Sequence, residues 1–174
     1  MDIQLYKDRM YQIIGAAMAL YNEIGSGYSE PIYQECLSVV CSEKNIPWER
    51  EKMLKMYFHG VELEKTYKAD FVCYDDIIVE LKAVSEILNE HRAQLFNYMR
   101  ITNTKFGLLI NFGEPQRLHA EKYMFNEDTN KFNLIYGLNR KQIYHKSFVN
   151  NLLAVLAKPS FEEASSASPI RASR

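Results

Sequence analysis

The sequence lacks most of the signals that identify a metal-binding or nucleotide-binding protein at first sight. Its three cysteines have no Cys-x-x-Cys spacing, and its histidines are scattered without the spacing of metal ligands. It contains no Gly-rich phosphate loop, zinc motif or Ser-His-Asp arrangement. The residues concerned are Cys36, Cys41, Cys73, His59, His119 and His145. These absences argue against a zinc site, a phosphate-binding loop and a serine hydrolase, and we interpret the cysteines as reduced core residues.

An excess of positive charge is also absent. Lys and Arg number 21 against 22 Asp and Glu, so the formal net charge is -1 and no bulk field attracts nucleic acid. A local basic patch remains compatible with this balance. Charges interrupt the amino-terminal MDIQLYKDRMYQ where a signal peptide needs an apolar run, and no stretch is long enough to cross a bilayer. We therefore expect a cytoplasmic protein.

What the sequence does have is a series of apolar patterns that change period along the chain. Helical spacing is predicted over 3–24, 29–44 and 88–102, where Gly25-Ser26-Gly27 ends the first helix and Ser29 caps the second. Hairpins are predicted for 52–58 with 61–63, for 66–74 with 77–83 and for 117–125 with 131–136, and 105–112 is predicted as a buried strand. The expected order is α-α-β-β-β-α-β-β-β, an α/β (α+β) fold.

Three charged side chains interrupt the second of these hairpins, namely Asp70, Glu80 and Lys82. A two-residue turn at Asp75-Asp76 would place Asp70 opposite Leu81, with the two carboxylates on opposite sides of the sheet. A three-residue loop over 74–76 would instead pair Asp70 with Glu80 and put all three charges on one face. The turn lacks the Asn-Gly or Asp-Gly of two-residue turns, which favours the longer loop or a bulge without excluding the shorter turn.

The charged hairpin has a structural and a functional interpretation. The structural one is a cross-strand salt bridge of Lys82 with Asp70 or Glu80. The functional one rests on the flanking apolar run over 77–83, which indicates a strand covered on both faces, where ionised groups are rare. One lysine between two carboxylates leaves a negative charge that a divalent cation would neutralise, and these are the components of metal-assisted phosphodiester hydrolysis.

Four ordered motifs carry a family resemblance. They are G-x-x-E-x-x-Y at 27–33, Ala69-Asp70-Phe71-Val72 with Ile78-Val79-Glu80-Leu81-Lys82-Ala83, HRAQLFNYMR at 91–100, and GLLINFG at 107–113. Over roughly 11–125 the chain resembles the GxxExxY protein family, a branch of the PD-(D/E)XK nuclease superfamily. The resemblance implies a restriction-endonuclease-like core, with a mixed central β-sheet flanked by helices, and a magnesium-dependent (or manganese-dependent) site.

Site residues follow from the resemblance by position. Asp70 and Glu80 would bind the metal, with the Leu81 carbonyl as a further ligand. Lys82 would orient or activate the attacking water and stabilise negative charge on the phosphate. Glu30 resembles the helical acidic residue that supports the metal or its water, and Gln94 the helical glutamine that places Lys82 or a phosphate. Ala69 stands where the superfamily's name has proline, a variation that leaves the carboxylate in place.

The helix around Gln94 offers further candidates. His91, Gln94 and Tyr98 share one helix face, which is either a half-buried polar stripe or a wall of the cleft. Arg92, Arg100 and Lys105 are candidate phosphate contacts. Tyr33 is interpreted as a core or supporting aromatic residue.

Two functions from different classes remain open. The leading hypothesis is a metal-dependent nuclease acting on nucleic acid, with DNA expected first and RNA not excluded. The alternative is a catalytically inactive module of the same fold that binds nucleic acid or a protein partner, which the near-neutral charge favours. Basic residues around an open acidic cleft would favour the nuclease, and an occluded cleft would favour the module.

The carboxyl-terminal region lies outside the resemblance. We expect a nuclease-like domain over 1–137, a helical extension over 138–158 and a disordered, Ser/Ala-rich tail over 159–174. Within the extension, 146–158 is predicted to be an amphipathic helix with Phe148, Leu152, Val155 and Leu156 in line. This stripe suggests a homodimer as a third hypothesis.

Overall fold

The computed structural model describes residues 3–127 and 129–137, and these residues confirm the predicted order of elements. The elements are α1 (Ile3–Ile24), α2 (Glu30–Glu43), β1 (Trp48–Phe58), β2 (Val61–Cys73), β3 (Ile77–Lys82), α3 (Asn89–Thr102), β4 (Phe106–Asn111), β5 (His119–Asn126) and β6 (Lys131–Gly137). β2 is one continuous strand shared by two hairpins, as the three strands expected before α3 require. One difference is that β1 begins four residues earlier than predicted.

The strands form one six-stranded mixed sheet in the order β1-β2-β3-β4-β5-β6. All neighbours are antiparallel except β3 and β4, which are parallel. A parallel pair needs a crossover connection, and α3 supplies it. The fold is therefore a mixed α+β architecture, a mixed central sheet flanked by helices.

Helices cover both faces of the sheet. α1 and α2 pack on one face in a core that includes Ile77, Val79 and Leu81 of β3. α3 packs on the other face, in a second core that includes Ile78. Every residue of β3 and β4 is buried, which fits the continuous apolar pattern of a strand covered on both sides.

The α1–α2 corner shows why glycine and tyrosine occur in the first motif. Gly27 has φ 109, a backbone conformation that other residues rarely adopt. The Tyr33 hydroxyl donates to the Gly25 carbonyl at 2.9 Å and accepts from the Tyr28 N–H at 3.3 Å, while its ring stacks on Phe112. This corner fixes where α2 begins. Ser29 occupies the N-cap position as predicted but makes no side-chain capping bond.

A second anchor holds the chain just beyond β3. The Asn111 side chain accepts from the Val84 N–H at 3.0 Å and donates to the Val84 carbonyl at 2.8 Å. A methyl group on Gly113 would overlap the Val84 backbone, so this crossing requires glycine. The asparagine and glycine of the GLLINFG motif therefore secure the end of the strand that carries Glu80 and Lys82.

The predicted helix over 146–158, the tail and any homodimer contact made by that helix lie outside the described residues. Within 3–127 and 129–137, none of the helices has the length and apolar character needed to cross a membrane.

Candidate functional site

The charged hairpin opens into a gap between β2 and β3. The strands pair Cys73 with Ile77 and Phe71 with Val79, so the loop over 74–76 has three residues and the register that places Asp70 opposite Glu80 is confirmed. Beyond the Phe71–Val79 pair, bonds between backbone N–H groups and side chains replace the regular backbone ladder of β2 and β3. The Leu81 N–H donates to Asp70 Oδ2 at 2.7 Å, and the Asp70 N–H donates to Glu80 Oε1 at 3.4 Å.

The strand backbone places the Leu81 carbonyl at the same gap. Within a strand, the N–H and C=O of one residue point to the same side. The Leu81 N–H points toward Asp70 on β2, whereas the Lys82 carbonyl points the other way and accepts from the Phe112 N–H at 2.7 Å. The Leu81 carbonyl thus lies on the side of the two carboxylates.

Lys82 links the strand to the start of α2. Its Nζ lies 3.3 Å from Glu80 Oε2 and 3.7 Å from Glu30 Oε2. Glu80 is fully buried and Lys82 is 7% exposed, whereas Glu30 and Asp70 are partly exposed. The structure therefore brings Glu30, Asp70, Glu80 and Lys82 together in one cluster that meets solvent on the Glu30 and Asp70 side.

Gln34 also belongs to this cluster and was not predicted from the sequence. Its Nε2 donates to Asp70 Oδ1 at 2.9 Å. Gln34 lies four residues after Glu30 on α2, so the two side chains share a helix face. The i, i+4 spacing from Glu30 is the signal that could have identified it.

Burial and mutual repulsion disfavour ionisation of the two carboxyl groups. Burial raises the pKa of Asp70 to about 6, against the opposing effects of the Leu81 N–H and Lys82. Burial, followed by repulsion from Asp70, raises the pKa of Glu80 to about 8. Burial acts against the charge of Lys82, yet the carboxylates of Glu80, Glu30 and Asp70 raise the pKa of this lysine overall. The cluster thus has more acidic groups than its one cation can stabilise.

The polar face of α3 borders the cluster. Burial and the charge of Lys82 lower the pKa of His91, whose Nδ1 accepts from the Leu88 N–H at 3.0 Å. Gln94 Nε2 donates to the Tyr98 hydroxyl at 3.0 Å. Burial raises the pKa of Tyr98, and the charges of Glu80 and Asp70 add to this effect. The amide of Gln94 therefore contacts Tyr98, whereas it was predicted to place Lys82 or a phosphate.

Arg92 does not serve as the predicted phosphate contact, because it is 3% exposed and bound in a buried ion pair. Its Nε and Nη2 donate to the two carboxylate oxygens of Glu121 at 2.8 and 2.7 Å. The Tyr123 hydroxyl also donates to Glu121 at 2.6 Å, and His119 Nε2 lies 3.1 Å from it. This network joins α3 to β5 and holds the helix beside the site.

Arg100 and Lys105 also lie away from the cluster. The Arg100 guanidinium lies over the Phe132 ring, and Lys105 forms an ion pair with Glu127 at 3.1 Å. Phe106 pairs with Ile77, and Leu109 with Glu80. Lys105 is therefore about 13 Å along the sheet from the carboxylates. The three predicted phosphate contacts do not surround the acidic gap.

The donor set of the gap suits a hard divalent cation. Two carboxylates and a backbone carbonyl are the oxygen ligands that magnesium and manganese prefer. No cluster of three or more His, Cys, Asp or Glu side chains with metal-binding geometry occurs among residues 3–127 and 129–137. A cation here would therefore depend on the two carboxylates, the carbonyl and water. Acidic ligands beside a lysine can support hydrolysis at phosphorus.

Comparisons with known proteins identify the family of the chain. A family model described as the PD-(D/E)XK nuclease superfamily matches residues 7–123. The chain therefore belongs to the PD-(D/E)XK nuclease superfamily. No curated protein matches the chain. Among solved structures, it is similar to the crystal structure of SSO0001, with 17% identity and a TM-score of 0.43 over 90% of this chain and 69% of that chain.

Proposed function

We propose that this protein is a metal-dependent nuclease that hydrolyses phosphodiester bonds of nucleic acid, with DNA as the first substrate to test. The observation that carries the proposal is the pairing of Asp70 with Glu80 in a buried gap beside Lys82. We also place it in the GxxExxY branch, since Gly27 and Tyr33 shape the corner from which Glu30 reaches Lys82.

Asp70, Glu80 and the Leu81 carbonyl would hold magnesium or manganese. The cation would stabilise charge on the phosphate and make water a better nucleophile. The residues fit this role because burial and crowding raise the pKa values of both carboxyl groups, and a nearby positive charge would favour their ionised forms.

The remaining side chains of the cluster have separate roles. Lys82 would donate hydrogen bonds to the attacking water and to the oxygen that gains charge, since its ammonium has three donors. Glu30 and Glu80 hold that ammonium between them. Gln34 fixes the orientation of Asp70, and Gln94 with Tyr98 forms the wall on α3.

The test combines metal titration with a nuclease assay on single-stranded and duplex DNA and RNA. Wild-type protein is compared with Asp70→Asn and Lys82→Ala, and with Asp8→Asn and Lys65→Ala as exposed controls. We expect cleavage that requires magnesium or manganese and is lost in the two site variants alone. Absence of metal binding, together with absence of variant-sensitive cleavage of every substrate, would contradict the proposal.

One observation favours the second candidate, an inactive nuclease-fold module that binds nucleic acid or a protein. Arg92, Arg100 and Lys105 are engaged with Glu121, Phe132 and Glu127 and do not line the gap. The same assay separates the candidates, because the module would bind its partner equally well as wild type and as Lys82→Ala, with no cleavage by either.

A further inference from the structure

A cavity of about 350 Å³ lies between the β1–β2 hairpin and the carboxyl-terminal end of α3. This volume is at the lower end of the range for small-molecule sites, roughly 300–1,000 Å³. Ile78 and Val72 lie beneath the cavity and are buried, so the apolar surface open to a ligand comes from Met53 and Ile101. The rim includes Lys52, Lys55 and Thr102. An apolar surface with cationic and hydroxyl groups at the rim suits a flat ring that carries a negatively charged group.

The position of the cavity relates it to the carboxylates. Ile78 lies two residues before Glu80 on β3, so both side chains point to the same face of the sheet, about 7 Å apart along the strand. On α3, Ile101 and Thr102 follow Tyr98 by three and four residues, which places them one turn further along the same helix face. The cavity therefore lies on the same face of β3 as Glu80 and one helical turn beyond Tyr98.

The two lysines at the rim can exchange their present partners for a ligand. Lys52 Nζ lies 2.7 Å from Glu49, and Lys55 Nζ lies 2.9 Å from Glu62. Exposed pairs of this kind contribute little to stability, so a phosphate can compete for either ammonium. Asp75 also contributes to the rim, and its negative charge would direct a phosphate toward the lysines.

A nucleotide matches this lining better than a simple anion or an apolar ligand. A simple anion would leave Met53 and Ile101 uncovered, whereas an apolar ligand would leave the lysines unused. A nucleotide uses both, since bases stack on or pack against apolar surfaces while phosphates bind cations. The cavity would also supply cations for a neighbouring phosphate, since Arg92, Arg100 and Lys105 do not line the gap.

We propose that this cavity is a subsite for one nucleotide of the nucleic-acid strand, next to the phosphate that enters the Asp70–Glu80 gap. Met53 and Ile101 contact the base, Lys52 and Lys55 bind its phosphate, and Thr102 and Thr104 line the remaining wall. The proposal rests on the nucleic-acid function proposed above and adds to it a position at which the protein senses a single base.

The experiment compares two double variants that remove the same charge from the same hairpin. Lys52→Ala/Lys55→Ala changes the cavity, whereas Lys65→Ala/Lys68→Ala changes exposed lysines that do not line it. Both are made in Asp70→Asn protein, and the dissociation constant for a short fluorescent oligonucleotide is measured by anisotropy. Loss of general electrostatic attraction should be equal in the two pairs, so we expect the cavity pair to bind about tenfold more weakly than the control pair.

A base-specific readout completes the test. When the wild type cuts an oligonucleotide with one abasic position, we expect one missing band in the cleavage pattern at a fixed offset from that position. Thr104→Phe, which fills the cavity, should restore the missing band, provided that circular dichroism shows an unchanged fold. Equal weakening in both double variants, or a cleavage pattern indifferent to the abasic position, would overturn the subsite while leaving the nuclease proposal intact. If the wild type neither binds nor cuts any oligonucleotide, both proposals fail.

Discussion

Glu80 and Glu121 are two buried glutamates of the same sheet with opposite electrostatic surroundings. Glu80 is fully buried and Glu121 is 2% exposed. Burial raises the pKa of Glu80 to about 8, with repulsion from Asp70 as the next cause. Burial opposes ionisation of Glu121 as well, yet hydrogen bonds from His119 and Arg92 lower its pKa to about 2. Equal burial therefore does not determine the charge state of a carboxyl group, because its partners do.

The difference separates a structural charge from a functional one. Glu121 receives two bonds from Arg92 and one from Tyr123, which satisfy its oxygens with short contacts. Glu80 has a lysine at 3.3 Å and a backbone N–H at 3.4 Å, both longer than the usual range for charged partners. The first arrangement is complete without a ligand, whereas the second has a carboxyl group that a cation would stabilise.

The largest effect is expected from breaking the complete network. Arg92→Ala would leave Glu121 as a buried charge without its bidentate partner, and we expect a loss of about 3–5 kcal/mol in the free energy of unfolding. Urea denaturation followed by circular dichroism at neutral pH measures this loss. Arg117→Ala, at a side chain that is 52% exposed, should change stability by less than about 0.5 kcal/mol. Similar values for the two variants would show that the network is not structural.

Lys82→Ala is expected to reduce catalytic activity strongly and to change the free energy of unfolding little. Removal of one preorganised donor to developing charge costs about 10²–10³ in kcat, or roughly 3–4 kcal/mol of transition-state stabilisation. Single-turnover cleavage at saturating substrate measures kcat directly, with Lys65→Ala as the control. A Lys82→Ala protein that unfolds as readily as Arg92→Ala, or that cuts at the wild-type rate, would remove the distinction between the two networks.

The pH dependence of stability should also differ between the two glutamates. In metal-free protein the pKa of Glu80 is about 8, against about 4.3 in the unfolded chain. Between these values the folded state binds more protons, so the free energy of unfolding falls as the pH rises. We expect Glu80→Gln to remove roughly 2–3 kcal/mol of this decline between pH 5 and pH 8, measured by urea denaturation in chelator. The exposed Glu62→Gln should leave the decline unchanged, and a decline that survives in Glu80→Gln would contradict the assignment.

Gln34→Leu should produce the smallest effect, a ten- to hundredfold loss of metal affinity, because groups that orient a ligand typically contribute this much. Gln4 makes a similar bond to Asp8 at 2.8 Å on the surface of α1, so Gln4→Leu is a matched control. Calorimetric titration with manganese compares the two, and Gln34→Glu tests whether added charge alone restores affinity. Unchanged affinity in Gln34→Leu would mean that Asp70 is held by Leu81 alone.

The helices, the strands and the register of the β2–β3 hairpin could be predicted from the sequence, because they depend on local periodicity. Strand side chains alternate, so the pairing of Asp70 with Glu80 followed from the length of one loop. The bulge between Lys55 and Tyr57 was not visible in this way, because an extra residue in an exposed strand leaves no mark on the apolar pattern.

The site prediction that was wrong concerns a side chain whose partner is distant along the chain. Arg92 and Glu121 are 29 residues apart, and nothing in either local pattern shows that they meet. Arg92 was therefore assigned to phosphate, because it lies near the polar helix face that was expected to line the cleft. Glu121 lies in the alternating stretch His119-Ala120-Glu121-Lys122, which resembles a half-exposed strand. Burial of both side chains arises only when α3 packs on β5.

Proton release on metal binding tests the central claim most directly. Titration calorimetry of magnesium or manganese at pH 7, repeated in buffers of different ionisation enthalpy, counts the protons released per bound ion. Glu80 is mostly protonated at pH 7 and must ionise to bind a cation, so we predict release of about one proton, declining toward zero at pH 9 and absent in Glu80→Gln. Metal binding without proton release at pH 7, or release that persists in Glu80→Gln, would contradict the assignment of this gap as the metal centre.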